Sequence, residues 1–207
     1  MEVPCTLEQF FEVFRNYNET VFPVQVILYL LSVTVIYLTI KRTAKSDKII
    51  SGILAFLWLW MGVVYHLVFF TTINKAAYLF GAIFILQGIL FLTLGIIKAK
   101  LSFKLILFAL IIYPFLGHFL GHAYPASPTF GLPCPTTIFT FGLLLLTDKN
   151  CPVAIIIIPF VWSIVGFTAA FNFGVWEDTG LLIAGLITLF MLLIKKRIPS
   201  AKQSGRI

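Results

Sequence analysis

Seven long apolar stretches constrain the fold of this chain more than any other feature. They are residues 21–40, 49–70, 77–97, 103–122, 135–147, 152–173 and 179–194. About 20 apolar residues in a helix cross the ~30 Å hydrocarbon layer of a membrane. Only 11% of the residues are charged, whereas soluble proteins carry roughly 25%. The pattern predicts an all-α, polytopic transmembrane helical bundle of about seven spans, with residues 1–207 forming one integral membrane domain.

The segment before the first span has a different pattern. Thr6 and Gln9 have the spacing of a capping box, and aromatic residues recur at helical intervals after them. We therefore expect residues 6–19 to form an amphipathic helix on the membrane surface, before a transmembrane bundle at 21–194. A lid over the neighbouring loops is the alternative. The N-terminus lacks the basic patch of a signal peptide, so we expect no cleavage.

The basic residues predict the orientation. They cluster after the first, third, fifth and seventh apolar stretches, and only Arg15 and Lys75 lie on the opposite side. Short loops rich in Lys and Arg remain cytoplasmic. We expect an external N-terminus and a cytoplasmic basic tail at 195–207, in a multi-pass protein of the bacterial inner (cell) membrane. The net charge of +7 follows from this topology, so it does not indicate nucleic-acid binding.

The stretch "GHFLGHAYPASPTFGLPCPTT" at 117–137 interrupts the apolar pattern. Pro128, Gly131 and Pro133 disfavour regular helix, and Pro135 suits a first helical position. The fifth span is therefore predicted to be re-entrant or broken, beginning at Pro135 after an extended segment. Irregular backbone at membrane depth must be buried in protein or line a cavity. Broken helices of this kind mark substrate sites in transporters.

Counting helical rise from the cytoplasmic charges places several polar residues at one depth. His66, His122 and Asp178 each lie about 26–27 Å from those charges, and His118 about 21 Å. These residues and the broken span predict one external polar cavity. Its predicted lining is His66, His122, Tyr124, Thr129, Cys134, Thr136, Thr137, Glu177 and Asp178. The free N–H groups at the start of the fifth helix, from Thr136 to Ile138, are expected to point into it.

Some of these residues have simpler interpretations. His118 and His122 have the four-residue spacing of helical metal ligands, so they and His66 are candidate ligands for Zn or Cu. The alternatives are close helix packing at Gly117 and Gly121, and an aromatic belt around His66. Glu177 and Asp178 suit the start of the last helix equally well. A disulfide between the two external cysteines, Cys5 and Cys134, is left open.

Three segments carry a family resemblance: "LWLWMGVVYH", "GHAYPASPTFGLPCPTTIFTFGLLLL" and "WEDTGLLIAG". They resemble a family of bacterial polytopic membrane proteins known only as a domain of unknown function. Its hallmark covers His122, Tyr124, Pro125, Pro128, Thr129, Phe130, Gly131, Pro133, Cys134, Pro135, Thr136 and Thr137. His118 lies outside the hallmark, and Lys75 stands where the family implies proline. The resemblance implies the membrane class and the external site, and no activity.

Three functions are compatible with these features. The first is binding or transport of a small solute or ion at the external cavity. The second is a membrane-embedded metal-dependent hydrolase, in which three histidines and a carboxylate hold Zn²⁺. The third is a structural subunit of a membrane complex. The chain lacks a P-loop, a dinucleotide fingerprint, a nucleophile elbow and an HExxH motif, which favours a non-enzymatic role. The predicted partners are the lipid bilayer and a small solute or metal ion, and self-association is left open.

Overall fold

The computed structural model describes residues 5–95, 102–145 and 152–197, and helices dominate these ranges. We name them α1 (Leu7–Val21), α2 (Val24–Ile40), α3 (Ser46–Thr72), α4 (Ala77–Thr93), α5 (Phe103–Phe119), α6 (Pro133–Leu144), α7 (Ala154–Phe173) and α8 (Thr179–Arg197). A 3₁₀ turn, Trp176–Asp178, precedes α8. The predicted all-α bundle with an N-terminal helix is confirmed.

Each predicted span coincides with one helix, α2 to α8. Within the described ranges, three segments are long and apolar enough to cross a membrane alone: Ser46–Thr72, Ala154–Phe173 and Trp176–Ile194. Helices α1 and α2 would count together as a fourth, but they meet at 86°. Helices α4, α5 and α6 are apolar and shorter. The chain therefore has the fold of a helical membrane protein in which three shorter helices, α4 to α6, lie in sequence between longer ones.

Helix α1 is packed on the rest of the protein along one face. Its start has the predicted capping box, because Thr6 Oγ1 accepts from the Gln9 N–H at 3.2 Å and Gln9 Oε1 accepts from the Thr6 N–H at 2.9 Å. Its buried face packs with Tyr65 of α3, Leu132 and Val175. The exposed face carries Glu8, Glu12 and Arg15. α1 thus covers one end of the bundle, which we call the α1 end.

Helix α6 occupies the centre of the bundle. All its residues except Cys134 are buried, and it packs against α5, α7 and α8. Trp58 of α3 reaches it from another side, with its indole N–H donating to Thr140 Oγ1 at 3.1 Å. A helix that is apolar all round belongs in a core. This explains why a helix too short to cross the membrane alone is stable there.

Two prolines alter the helices that carry them. In α5, Pro114 has no N–H and its ring crowds the preceding turn, and a π-helical turn at Phe108–Ile112 precedes it. In α7, Pro159 leaves the Ile155 carbonyl without its intrahelical donor. Gln87 of α4 supplies a donor instead, with its amide 3.0 Å from that carbonyl oxygen. A further π-helical segment, Met61–Phe69, lies in α3.

The loop before α6 is extended and held by polar contacts from the α1–α2 corner. Asn18 donates to the carbonyls of Pro125 and Ser127, at 2.5 and 2.8 Å. Gln25 donates to Asn18 Oδ1 at 2.5 Å and to Thr129 Oγ1 at 3.1 Å. These contacts supply hydrogen-bond partners for the irregular backbone of the loop, which needs them wherever water is excluded.

The start of α6 lies within two residues of Pro135, as the sequence predicted, but it changes which N–H groups are free. The helix begins at Pro133, two residues before the predicted Pro135. The N–H of Thr136 is consequently bonded to the Leu132 carbonyl at 3.3 Å. The expectation that this N–H would be free is wrong, because the helix starts one half-turn earlier. With proline at both 133 and 135, the donor left in the first turn is the N–H of Cys134.

Candidate functional site

The turn that ends α5 determines where His122 lies. Gly121 has φ +94°, a left-handed conformation that favours glycine. The His122 N–H donates to the Gly117 carbonyl at 2.8 Å and the Gly121 N–H to the His118 carbonyl at 3.1 Å, which is a Schellman motif. The helix therefore ends at Phe119, and His122 is outside it. The prediction that His118 and His122 share a helix face is wrong for this reason.

His122 is paired with a buried carboxylate. Its Nδ1 lies 2.9 Å from Glu177 Oε1, and the ring of Phe11 of α1 packs on the imidazole at a centroid distance of 4.7 Å. Gly117 makes the approach possible, because a Cβ there would lie 2.9 Å from Glu177 Oε1. The contact joins the end of α5 to the start of α8 beneath α1.

The neighbouring carboxylate faces another direction. Asp178 is 2% exposed, and the Tyr113 hydroxyl of α5 donates to its Oδ1 at 2.5 Å. Asp178 also borders a cavity together with Cys134. The two successive acidic residues thus have separate environments: Glu177 contacts His122, whereas Asp178 contacts Tyr113 and lines the cavity.

The cavity lies under α1 and has a volume of about 170 Å³. Its walls come from α1, α3, α4, α7, the start of α6 and the turn before α8. Seven of its eighteen lining residues are aromatic: Phe10, Phe14, Tyr65, Phe70, Phe80, Trp162 and Phe173. Phe10 of α1 stacks on Phe173 of α7 at a centroid distance of 4.1 Å. The stack closes the cavity on the α1 side.

One corner of the cavity is polar. It contains the Asp178 carboxyl group, and the Cys134 thiol and the indole N–H of Trp162, which both lie beside Gly166. A Cβ on Gly166 would lie 3.4 Å from Cys134 Sγ and 3.6 Å from Trp162 Nε1. The indole N–H is buried without a hydrogen-bond partner. The corner can therefore donate to, and accept from, a small molecule.

His66 lies next to the cavity, inside a cage of rings. It is fully buried, and neither ring nitrogen has a hydrogen-bond partner. The rings of Tyr65, Phe70, Phe80, Phe84 and Trp162 surround it at centroid distances of 4.6 to 6.0 Å. Four of these five residues also line the cavity. His66 thus forms the layer behind the aromatic wall and does not line the cavity itself.

The remaining predicted site residues lie elsewhere. Tyr124 is 56% exposed and borders a shallow surface depression with His122. Thr129 belongs to the polar network with Asn18 and Gln25. Thr136 accepts from the Gly131 N–H at 3.0 Å, and the buried hydroxyl of Thr137 has no partner. Of the nine predicted residues, Cys134 and Asp178 line the cavity together.

No group of three or more His, Cys, Asp or Glu side chains in the described part of the chain is arranged to hold a metal ion. His118 is exposed, His122 is paired with Glu177, and His66 is enclosed by rings. Cys5 and Cys134 are free thiols. Partial burial raises the pKa of the Cys5 thiol, which keeps it protonated at neutral pH.

The α7 face of the cavity was missed by sequence reasoning, although a pattern marks it. Trp162, Gly166, Ala169 and Phe173 recur at intervals of four, three and four, so they share one helix face. Small residues between two aromatic residues leave space beside that face. Because α7 is apolar all round, hydrophobicity alone did not distinguish this face from the others.

Comparison with known proteins agrees with the resemblance carried by the 117–137 region. A model of a family of unknown function, DUF6064, matches residues 7–203. The chain belongs to that family. The DUF6064 match includes all of α1 to α8, and hence every residue of the cavity and of both carboxylate contacts. No curated protein and no solved structure matches the chain.

Proposed function

We propose that this chain is a multi-pass membrane protein that binds a small, mostly apolar molecule in the cavity under α1. The observation that carries the proposal is an aromatic-lined space of about 170 Å³ with a polar corner. Small-molecule sites are concave, mainly apolar and equipped with a few polar groups that orient the ligand.

The volume defines the size of the occupant. An apolar cavity of about 150 Å³ in another protein stays dry and binds one benzene molecule. A ligand here would be similar in size, with its apolar part against the rings and its polar group beside Trp162, Cys134 and Asp178. Binding would also provide a partner for the indole N–H, whose burial without one costs roughly 1–3 kcal/mol.

The geometry supports binding better than the other sequence-based hypotheses. Helix α6 fills the centre of the bundle with buried side chains, which favours a closed binding site over a wide channel in the described part of the chain. A metal-dependent hydrolase needs three protein ligands and an open position, and the described residues do not supply such a group. Phe10 and Phe14 of α1 form one side of the cavity.

Ligand binding in detergent solution tests the proposal. Benzyl alcohol is a suitable neutral probe, since it joins a benzene-sized ring to one hydroxyl group. We expect saturable binding that raises the melting temperature of the protein. Val165→Phe should abolish this effect, because Val165 lines the cavity and the larger ring fills it.

Ile164→Phe is the matched control. Ile164 is on the same helix and is exposed, so its substitution adds bulk outside the cavity. Partitioning of the probe into detergent is the same for both variants. Equal responses of the two variants to benzyl alcohol would show that the probe acts outside the cavity, and the proposal would then be wrong.

A further inference from the structure

We infer that the ligand of this cavity is a small organic amine bound as its ammonium cation. The inference rests on the proposed function and names the chemical class of the occupant. It combines two independent features of the cavity: the aromatic lining, and a buried carboxylate that contacts no cationic side chain in the described part of the chain.

The lining provides the first argument. Seven aromatic side chains surround the space, and the electron-rich faces of such rings attract cations. The attraction is worth about 2 kcal/mol or more when the cation is desolvated. No lysine or arginine is among the described residues that line the cavity, so a cationic ligand meets no like charge at its walls.

Asp178 provides the second argument. Among the described residues, its hydrogen-bonding neighbours are uncharged: the Tyr113 hydroxyl, 2.5 Å from Oδ1, and the Cys134 thiol. Glu177, the next residue, is a second carboxylate directed at His122. A buried carboxylate is stabilised in its charged form by an opposite charge, and an ammonium in the cavity would supply that charge.

The arrangement in the polar corner fits an ammonium head group. The Asp178 carboxyl group, the Cys134 thiol and the Trp162 side chain line the same cavity, and Gly166 brings no side chain between the thiol and the indole. An ammonium group donates charge-assisted hydrogen bonds to a carboxylate. Its apolar substituent would extend away from Asp178, toward the Phe10–Phe173 stack.

A matched pair of probes tests the charge requirement. Benzylamine is a cation at neutral pH, and benzyl alcohol has the same shape without the charge. We expect the unmodified chain to bind benzylamine at least about tenfold more tightly, from the combined cation–π and charge-assisted contacts. Asp178→Asn keeps an acceptor for Tyr113 and should remove this preference while retaining affinity for benzyl alcohol.

Glu8→Gln is the control for a general electrostatic effect. It removes a negative charge from the exposed face of α1, outside the cavity lining, and should leave the preference for benzylamine unchanged. The relative affinity of the unmodified chain for benzylamine and benzyl alcohol tests the charge requirement even if Asp178→Asn does not fold. Equal affinities for the two probes would overturn the inference and leave the proposed function intact. Absence of binding by either probe would overturn both.

Discussion

The side-chain amide of Gln87 on α4 donates to the backbone carbonyl of Ile155 on α7 at 3.0 Å. Pro159 creates the need for this contact, because the N–H that would bond to Ile155 within α7 is missing. A backbone carbonyl without a partner is costly in an apolar environment. The contact therefore links α4 to α7 at the place where Pro159 removes a hydrogen bond from α7.

This relationship predicts a coupling between Gln87 and Pro159. Gln87→Leu should lower the free energy of unfolding by about 1 kcal/mol or more, since it leaves the Ile155 carbonyl unpaired. In a Pro159→Ala background the N–H of residue 159 bonds to that carbonyl, and Gln87→Leu should then cost nothing. A double-mutant cycle measured by reversible unfolding in mixed micelles checks the coupling. Additive effects of the two substitutions would contradict the interpretation.

Gly131 is predicted to be a sensitive position in the loop before α6. It has φ +99°, and a Cβ there would lie 2.3 Å from Leu28 Cδ1 of α2. The left-handed conformation alone costs an L-residue roughly 1–2 kcal/mol. Gly131→Ala should therefore destabilise the protein by at least about 2 kcal/mol in the same unfolding assay.

Gly52→Ala is the control for this loop prediction. Gly52 is helical, and a Cβ there meets nothing within 4 Å. Replacing it should be neutral or stabilising by up to about 1 kcal/mol, from helix propensity. If the two alanine variants have the same stability, the close packing of Gly131 against α2 is not present in the protein.

His66 is predicted to be replaceable by an apolar ring. Both of its nitrogens are buried without partners, and such burial costs roughly 1–3 kcal/mol. His66→Phe should be neutral or stabilising, whereas His66→Ala should cost about 2 kcal/mol or more through the space it leaves. A fall in the stability of His66→Phe would contradict this prediction, and a loss of bound metal from that variant would show that His66 is a ligand.

The orientation of the chain in the membrane is a prediction from charge alone. Lys45 precedes α3 and Lys75 follows it, so the two positions flank opposite ends of a helix about 40 Å long. We expect an impermeant maleimide to label Lys75→Cys from outside intact cells and Lys45→Cys only after lysis. Labelling in the reverse order would place the N-terminus in the cytoplasm.

The helices were predictable because their signals are local. The apolar stretch at 152–173 differs by only two residues from the helix Ala154–Phe173. The prolines around residue 131 likewise mark the loop before α6. The contacts at the α1 end depend on geometry that short patterns do not encode. His122 reaches Glu177 because the left-handed turn at Gly121 takes it off the helix. His66 faces rings and does not line the cavity, because a depth counted along the helix does not specify the direction of a side chain.

The central claim is that the space under α1 holds a small molecule, and a crystal soaked in bromobenzene tests it most directly. The probe is close to the size of the cavity, and bromine is located by its anomalous scattering. We predict a bromine peak between Trp162 and Phe173, present in the unmodified protein and absent in Val165→Phe. A cavity without bromine, in crystals where the probe occupies other positions, would contradict the account.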